Sequence, residues 1–447
     1  MVKMTYKFLH LANYKDIPNW SVQYADEEDL GFTKKYPMAR IGSFLTRRKE
    51  AIDIQDGIIY KRVTVSTKGG NITIRDEKDG KLIGTKKQFV IHEGQFLLSK
   101  IDARNGAYGV VPAIAEGAII TGNFWTYDVD YERINPQFLT LVTKTQQFLD
   151  FAEKSSNGTT NRHYLQEEAF LNQQIPLPSI EEQEVILKDY NTHIESATRK
   201  QYKIKSLAID SQQLICNMLG IKQKVSQVSE SLLQFIHLTD TNSRWDALVD
   251  TYAIESKYRI ENLGKFIMHI STGTTPPTSH PEYFDGDVKF FTPADLGNNK
   301  YLEHSSRTIT KIAVDDKKAR AYHKGDILFV GIGSTVGKVG IVKDEMVSSN
   351  QQITGFTIDS SKINPEYVYY YLLYNRDITT ADQSKTTLPI VNQDKICKIP
   401  IVVPPIKVQD EIVSSLDKMY LEAKRDEKEI TVLERKAISL FEHKIFD

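Results

Sequence analysis

The sequence predicts an α+β protein in which one globular α/β domain occurs twice, each copy followed by a long helix of coiled-coil pattern. Three observations predict it: an internal repeat, strand patterns broken by glycine turns, and heptad spacing at the end of each copy. IGSFL at 41–45 is answered by LGKFI at 263–267, and HEGQFLLSKIDARNGAYGVV at 92–111 by HKGDILFVGIGSTVGKVGIV at 323–342. RINPQF at 133–138 returns as KINPEY at 362–367, and LPSIEEQEVIL at 177–187 as VPPIKVQDEIV at 403–413. The offsets are 222, 231, 229 and 226 residues, so order and spacing are kept. Two long copies make a duplicated domain, whereas a solenoid needs shorter and more numerous units.

Within each copy an apolar strand, Phe96 to Leu98 or Ile327 to Val330, runs into a glycine-bearing turn and a second strand. Glycine supplies positive φ there, or lets another backbone approach closely. The turn at 331–340, GIGSTVGKVG, resembles a phosphate-binding loop only in part. Its first-glycine position is Ile332 and its hydroxyl position Val339, and the resemblance vanishes in the counterpart KIDARNGAYG at 100–109. A fixed scaffold with different polar tips points to two versions of one recognition module. In RINPQF and KINPEY, Asn-Pro reads as a helix cap and first helical residue.

Each copy ends in a heptad pattern. From Leu187 the core-type positions fall at Tyr190, Ile194, Ala197, Gln201, Ile204, Ala208, Ser211, Ile215 and Met218. The second series runs Ile412, Leu416, Met419, Ala423, Asp426, Ile430, Leu433, Ala437 and Leu440, with polar interruptions that fix register. Helices over about 181–219 and 406–446 would each span roughly 55–60 Å. Paired, they form a rigid spacer; the same period also suits two amphipathic helices, each packed on its own domain. Ser179 is placed to cap the first helix, with acidic residues in its first turn. The domain plan is therefore 1–180, a helix with connector at 181–237, a second domain at 238–405, and a last helix at 406–447.

Composition narrows the function. Of 447 residues, 57 are Lys or Arg and 58 Asp or Glu, a net charge of −1. A protein that grips nucleic acid alone is usually basic, so this balance counts against a solitary DNA binder and leaves room for a reader whose partners neutralise much of the phosphate. The start, MVKMTYKFLH, lacks a signal-type apolar run, and no stretch has the length of a membrane span. Two distant cysteines, Cys216 and Cys397, point to a reducing, cytoplasmic setting. Catalytic constellations are missing. NPQF departs from the amino-methyltransferase tetrapeptide at Gln137, and HEGQF from the zinc motif at Phe96.

With RWD at 244–246, TGTTPP at 272–277, FTPADL at 291–296 and SSNQQI at 348–353, this order resembles the DNA-specificity subunit of type I restriction–modification systems. The resemblance covers nearly the whole chain. It is clearest over 256–447 and looser over 50–90, where copy one carries the charged insert STKGGNITIRDEKDGK. It implies two target-recognition domains separated by a long antiparallel two-helix coiled coil, each reading half of a bipartite, asymmetric double-stranded DNA site. Two modification (methyltransferase) subunits would bring S-adenosylmethionine and adenine methylation, and two endonuclease–translocase subunits, with ATP and magnesium, would add cleavage. The chain itself would then hold no cofactor or metal and catalyse nothing.

Base readout needs donors and acceptors at base edges. In copy one the candidates are Lys100, Arg104 and Asn105 in the glycine turn, then Asn157, Thr159, Asn161 and Arg162 in SSNGTTNRHY. In copy two they are Ser334, Thr335 and Lys338, then Ser384, Lys385 and Thr386 in DQSKTTLP. Thr272 and Thr274, and Arg47 with Arg48, are secondary candidates. Every one of these also suits a plain solvated turn. Three other readings stay open: a protein-interaction scaffold, a nucleotide-using enzyme, and a specificity subunit of a methylation-only system.

Overall fold

The structure, a computed structural model, describes residues 30–67, 71–157, 163–223, 254–297, 299–380 and 389–447. Most of the connector, including RWD at 244–246, lies outside them. The chain divides into two compact units, 1–199 with 429–447 and 200–428. Each therefore holds one copy of the repeat and part of each long helix.

In the first unit a four-stranded sheet takes the order Leu45–Arg48, Phe124–Val129, Phe96–Ser99, Tyr108–Val110. In the second, Ile267–Thr272, Ile353–Ile358, Ile327–Val330 and Val339–Val342 repeat that order, and Tyr301–Leu302 adds a fifth, parallel strand. FLLS and ILFV are buried at every position, as continuous apolar strands covered on both faces must be. The register repeats too: Phe124 faces Ser99 as Ile353 faces Val330. Gly94 and Gly325, then Gly106 and Gly337, take φ of +81, +90, +80 and +90° at matching positions, which explains the repeated glycines.

The second sheets differ. Copy one builds five strands in the order Glu50–Asp53, Lys87–Val90, Ile119–Ile120, Ile59–Val65, Ile72–Asp79. Copy two builds four: Arg307–Ile309, Phe284–Phe291, Met346–Ser349, Ala321–His323.

The long helices run over Ile180–Leu219 and Ile406–Phe446. Ser179 and Glu182 form a reciprocal capping box: the Glu182 N–H donates to the serine hydroxyl at 3.3 Å, and the Ser179 N–H to the carboxylate at 3.1 Å. Asn135 and Asn364 cap the short helices Pro136–Val142 and Pro365–Tyr374, with proline at the first position. One buried glutamine per copy ties that cap to the long helix. Gln183 accepts from the Asn135 N–H at 2.8 Å and donates to the Pro178 carbonyl at 2.9 Å; Gln409 does the same with Asn364 at 2.8 Å and Pro404 at 2.8 Å.

The helices pair antiparallel within each unit. In the first, Tyr190 meets Phe441 edge-on at 6.5 Å, and Phe441 meets Phe138 at 5.6 Å. Burying such a ring contributes roughly 2–3 kcal/mol. In the second, Ile215 and Leu219 pack with Ile412, Leu416 and the tyrosines of Pro365–Tyr374. Lys200 Nζ lies 2.8 Å from the buried Asp426, and Lys203 lies 3.2 Å from Asp426 and 2.5 Å from Glu422. Hydrogen bonds from Lys200 and then Lys203 hold the Asp426 carboxyl below its usual range. The heptad reading needs one correction: Gln201 and Ala208 are exposed, and the inward stripe passes through Lys200 and Leu207. A heptad allows three-then-four or four-then-three, and polar positions there leave the phase open. Among the described residues no helix is long and apolar enough to cross a membrane.

Candidate nucleic-acid interface

Both copies bring the glycine turn against the loop that follows the short helices. In copy one the Lys100 carbonyl accepts from Leu165 at 2.9 Å, while the Lys100 N–H donates to the Asn123 carbonyl at 2.9 Å. In copy two the Gly331 carbonyl accepts from Val391 at 2.8 Å, and the Gly331 N–H donates to Gln352 at 2.8 Å. Lys100 and Gly331 are the same repeat position, as are Leu165 and Val391. In each copy the chain just after the second stretch singled out thus meets the glycine turn. Thr159, Asn161, Arg162, Ser384, Lys385 and Thr386 lie outside the described residues; of Asn157 only the backbone is described, in a short strand paired with Tyr164.

Copy one is cationic and aromatic at this junction. Lys100 Nζ sits 5.9 Å from the Trp125 ring, and Arg47 lies 5.7 Å from Trp125 and 5.2 Å from Tyr127. Arg47 Nη1 donates to the Thr126 carbonyl at 3.0 Å and Nε lies 3.0 Å from Glu167. Burial pulls the pKa of both cations down, and for Lys100 the neighbouring Arg47 adds to it. Arg104 reaches Glu153 at 3.9 Å; Asn105 Nδ2 donates weakly to Asp102 at 3.5 Å. Arg48 is engaged by Glu50 at 3.4 Å and Asp128 at 4.0 Å.

Copy two instead carries a polar cleft of about 440 Å³ whose lining holds one cation, Arg307. Ser334 and Thr335 line it, joined by Thr292, Arg307, Asn350 and Gln352. Asn350 Nδ2 donates to Gln352 Oε1 at 3.0 Å, which fixes both amides. The turn of TGTTPP is pressed on this floor: a Cβ on Gly273 would fall 2.3 Å from the Asn350 carbonyl. Thr272 faces inward, bonded to Thr354 at 3.0 Å and Gln393 at 2.9 Å, whereas Thr274 is exposed. Lys338 is not among the lining residues; its Nζ lies 3.5 Å from the Pro293 carbonyl and its stem packs against Gly297. The glycine turn joins two antiparallel strands and opens no helix, so the strand-to-helix geometry of a phosphate loop is missing.

The model of the type I restriction modification DNA specificity domain matches residues 24–206 and again 257–435. The chain belongs to that family. It is similar to the MjaIX specificity subunit of a type I restriction enzyme from Methanocaldococcus jannaschii, 28% identical over 191 residues, 41% of this chain and 43% of that one. It is also similar to the StySPI specificity subunit from Salmonella potsdam, 21% identical over 318 residues, 66% of this chain and 61% of that one. These alignments span less than two thirds of either relative. A chain solved in work on complex assembly and conformational transition of the type I R-M system shares the fold, with a TM-score of 0.51, 17% identity, and coverage of 92% of this chain and 98% of that one.

In this family member, sequence reasoning missed Arg307, Asn350 and Gln352. Asn350 and Gln352 lay in plain view within SSNQQI, but only strand pairing brings them beside the glycine turn. Among the described residues no group of three or more His, Cys, Asp and Glu side chains is placed to hold a metal ion.

Proposed function

We propose that this chain is the sequence-reading subunit of a type I restriction–modification complex in the cytoplasm. It reads a bipartite, asymmetric double-stranded DNA site, one half per copy, and directs adenine methylation and cleavage by partner subunits while catalysing nothing itself. One observation carries the reading most directly: one backbone frame, held by the same hydrogen bonds in both copies, presents different polar side chains at the same junction. That is how a recognition surface diverges without losing its scaffold. The readers are drawn from Lys100, Arg104 and Asn105 in copy one, and from Ser334, Thr335 and Arg307 in copy two. Direct readout uses such donors and acceptors.

Two modification subunits dock on the long helices. Exposed apolar residues support this: Val185, Val432 and Ile438 in the first unit, Tyr202, Ile209 and Leu421 in the second. S-adenosylmethionine, ATP and magnesium belong to partners. The test is a methylome. Long-read sequencing of the native strain, with the gene intact and deleted, should show a split adenine-methylated motif that vanishes on deletion. An unchanged methylome, with no co-purifying methyltransferase subunit, would instead favour the protein-interaction scaffold.

A further inference from the structure

Copy one has a two-stranded ribbon, Ile59–Val65 with Ile72–Asp79, at the edge of its second sheet, where the outer strand of copy two, Arg307–Ile309, has only three residues. The ribbon's distal inner face is pinned. Val63, Val65 and Ile72 are buried with Leu97, Ala107 and Val111, the residues that carry the glycine turn. Its distal end abuts that turn: a side chain on Gly106 would meet the Thr67 carbonyl at 3.1 Å. The opposite face is bare. Thr64 and Thr73 face each other across the ladder and both are exposed.

The ladder also steps from Arg62↔Asp76 to Val63↔Ile74, leaving Arg75 as the extra, exposed residue of a β-bulge. Bulges of this kind re-aim one side chain. Opposite charges face each other at the proximal end of the ribbon, Lys61 across from Glu77 and Arg62 across from Asp76. Arg62 takes the Asp76 carboxylate bidentately at 2.6 and 2.5 Å. Arg75 Nε pairs more loosely with the same carboxylate, at 3.6 Å, and its side chain is half exposed.

We propose that this ribbon is a reading arm of copy one, which lies in the DNA major groove and presents Thr64, Thr73 and Arg75 to base edges. The inference rests on the DNA-recognition reading above. The major groove, about 12 Å wide, admits a two-stranded ribbon, and Arg and Thr are residue types that read base edges there. Copy two would read its half-site through its cleft, so the two halves are recognised by different elements on one frame.

The experiment uses the full chain with its methyltransferase subunits, comparing wild type, Arg75→Ala and the double variant T64A/T73A. Methylomes and binding to duplexes altered at single positions are the readouts, and matching thermal midpoints certify the fold. The expected result is relaxation at one or two base pairs of one half-site, about 5- to 100-fold in discrimination, with the other half unchanged. Unchanged preference in all variants overturns the proposal. Uniform weakening over all sequences with a shallower salt slope also overturns it, because that marks phosphate contact alone. If wild type methylates no split motif, the functional reading itself has failed, and the ribbon assignment with it.

Discussion

Copy one and copy two agree wherever backbone must be held and differ wherever a side chain can be exchanged as part of a set. Gln183 and Gln409, Asn135 and Asn364, Gly106 and Gly337 do the same work in both. The seat where the domain meets its long helix differs as a group. In copy two, Lys300 Nζ lies between Glu366 at 3.1 Å and Asp417 at 2.5 Å and over the Tyr370 ring at 4.8 Å, while its carbonyl accepts from Ile341 at 2.8 Å. At the matching positions of copy one, Gln137 and Asn191 bond each other through both amides at 2.6 and 3.2 Å. The fifth strand, its buried cation and both carboxylates thus go together; without the strand, two neutral amides close the gap.

The largest expected effect breaks that comparison. Lys300→Ala leaves two carboxylates facing each other; since both are about one-third exposed, the loss is about 2–3 kcal/mol, below that of a fully buried pair. Asn191→Ala in copy one should lose only about 1 kcal/mol. Hydrogen exchange, read separately in each unit, measures both, and equal losses would show the two seats to be alike. Next, Gln183→Ala and Gln409→Ala each strand a buried N–H and a carbonyl. Both should lose about 2 kcal/mol in their own units, and a clear inequality would mean the tie is not shared.

The smallest effect is in pH. His92 is held between Glu116 at 2.8 Å and Glu50 at 3.1 Å, and its pKa is raised, by Glu116 first and then Glu50. A raised folded-state value adds stability that is full below the ordinary imidazole pKa of about 6.5 and is lost as pH rises through the folded value. Copy one should therefore loosen slightly around residues 92–96 as pH rises above about 6.5, and His92→Gln should abolish the dependence. The counterpart His323 bonds instead to the Glu345 carbonyl at 3.0 Å. NMR titration of the His92 ring reads the shift directly; an ordinary imidazole value would dismiss the coupling.

Much of the scaffold was legible because it is local. Asn-Pro caps, the Ser179 box, the glycine turns and the apolar strands are written within a few residues of where they act. The helix phase at Gln201 and Ala208 was not, since a polar stretch of heptads does not declare its inward side. Nor was the site, whose parts meet only through long-range pairings such as Gly331 with Gln352. Lys300 showed no sign of burial either, because its seat is made by residues 66 and 117 positions away.

Lys200 and Asp426 are separated by 426 − 200 = 226 residues, the same offset that relates Gln183 to Gln409, 409 − 183 = 226. One position of the repeat thus faces its own duplicate across the helix pair. A helix meeting its twin from another molecule in that register would set lysine against lysine, or a buried aspartate against its like, which costs far more than the unlike pair. Duplication creates the hazard that a chain will mistake a copy of itself for its own other half. At this single position the two halves carry opposite signs, and the molecule can tell them apart.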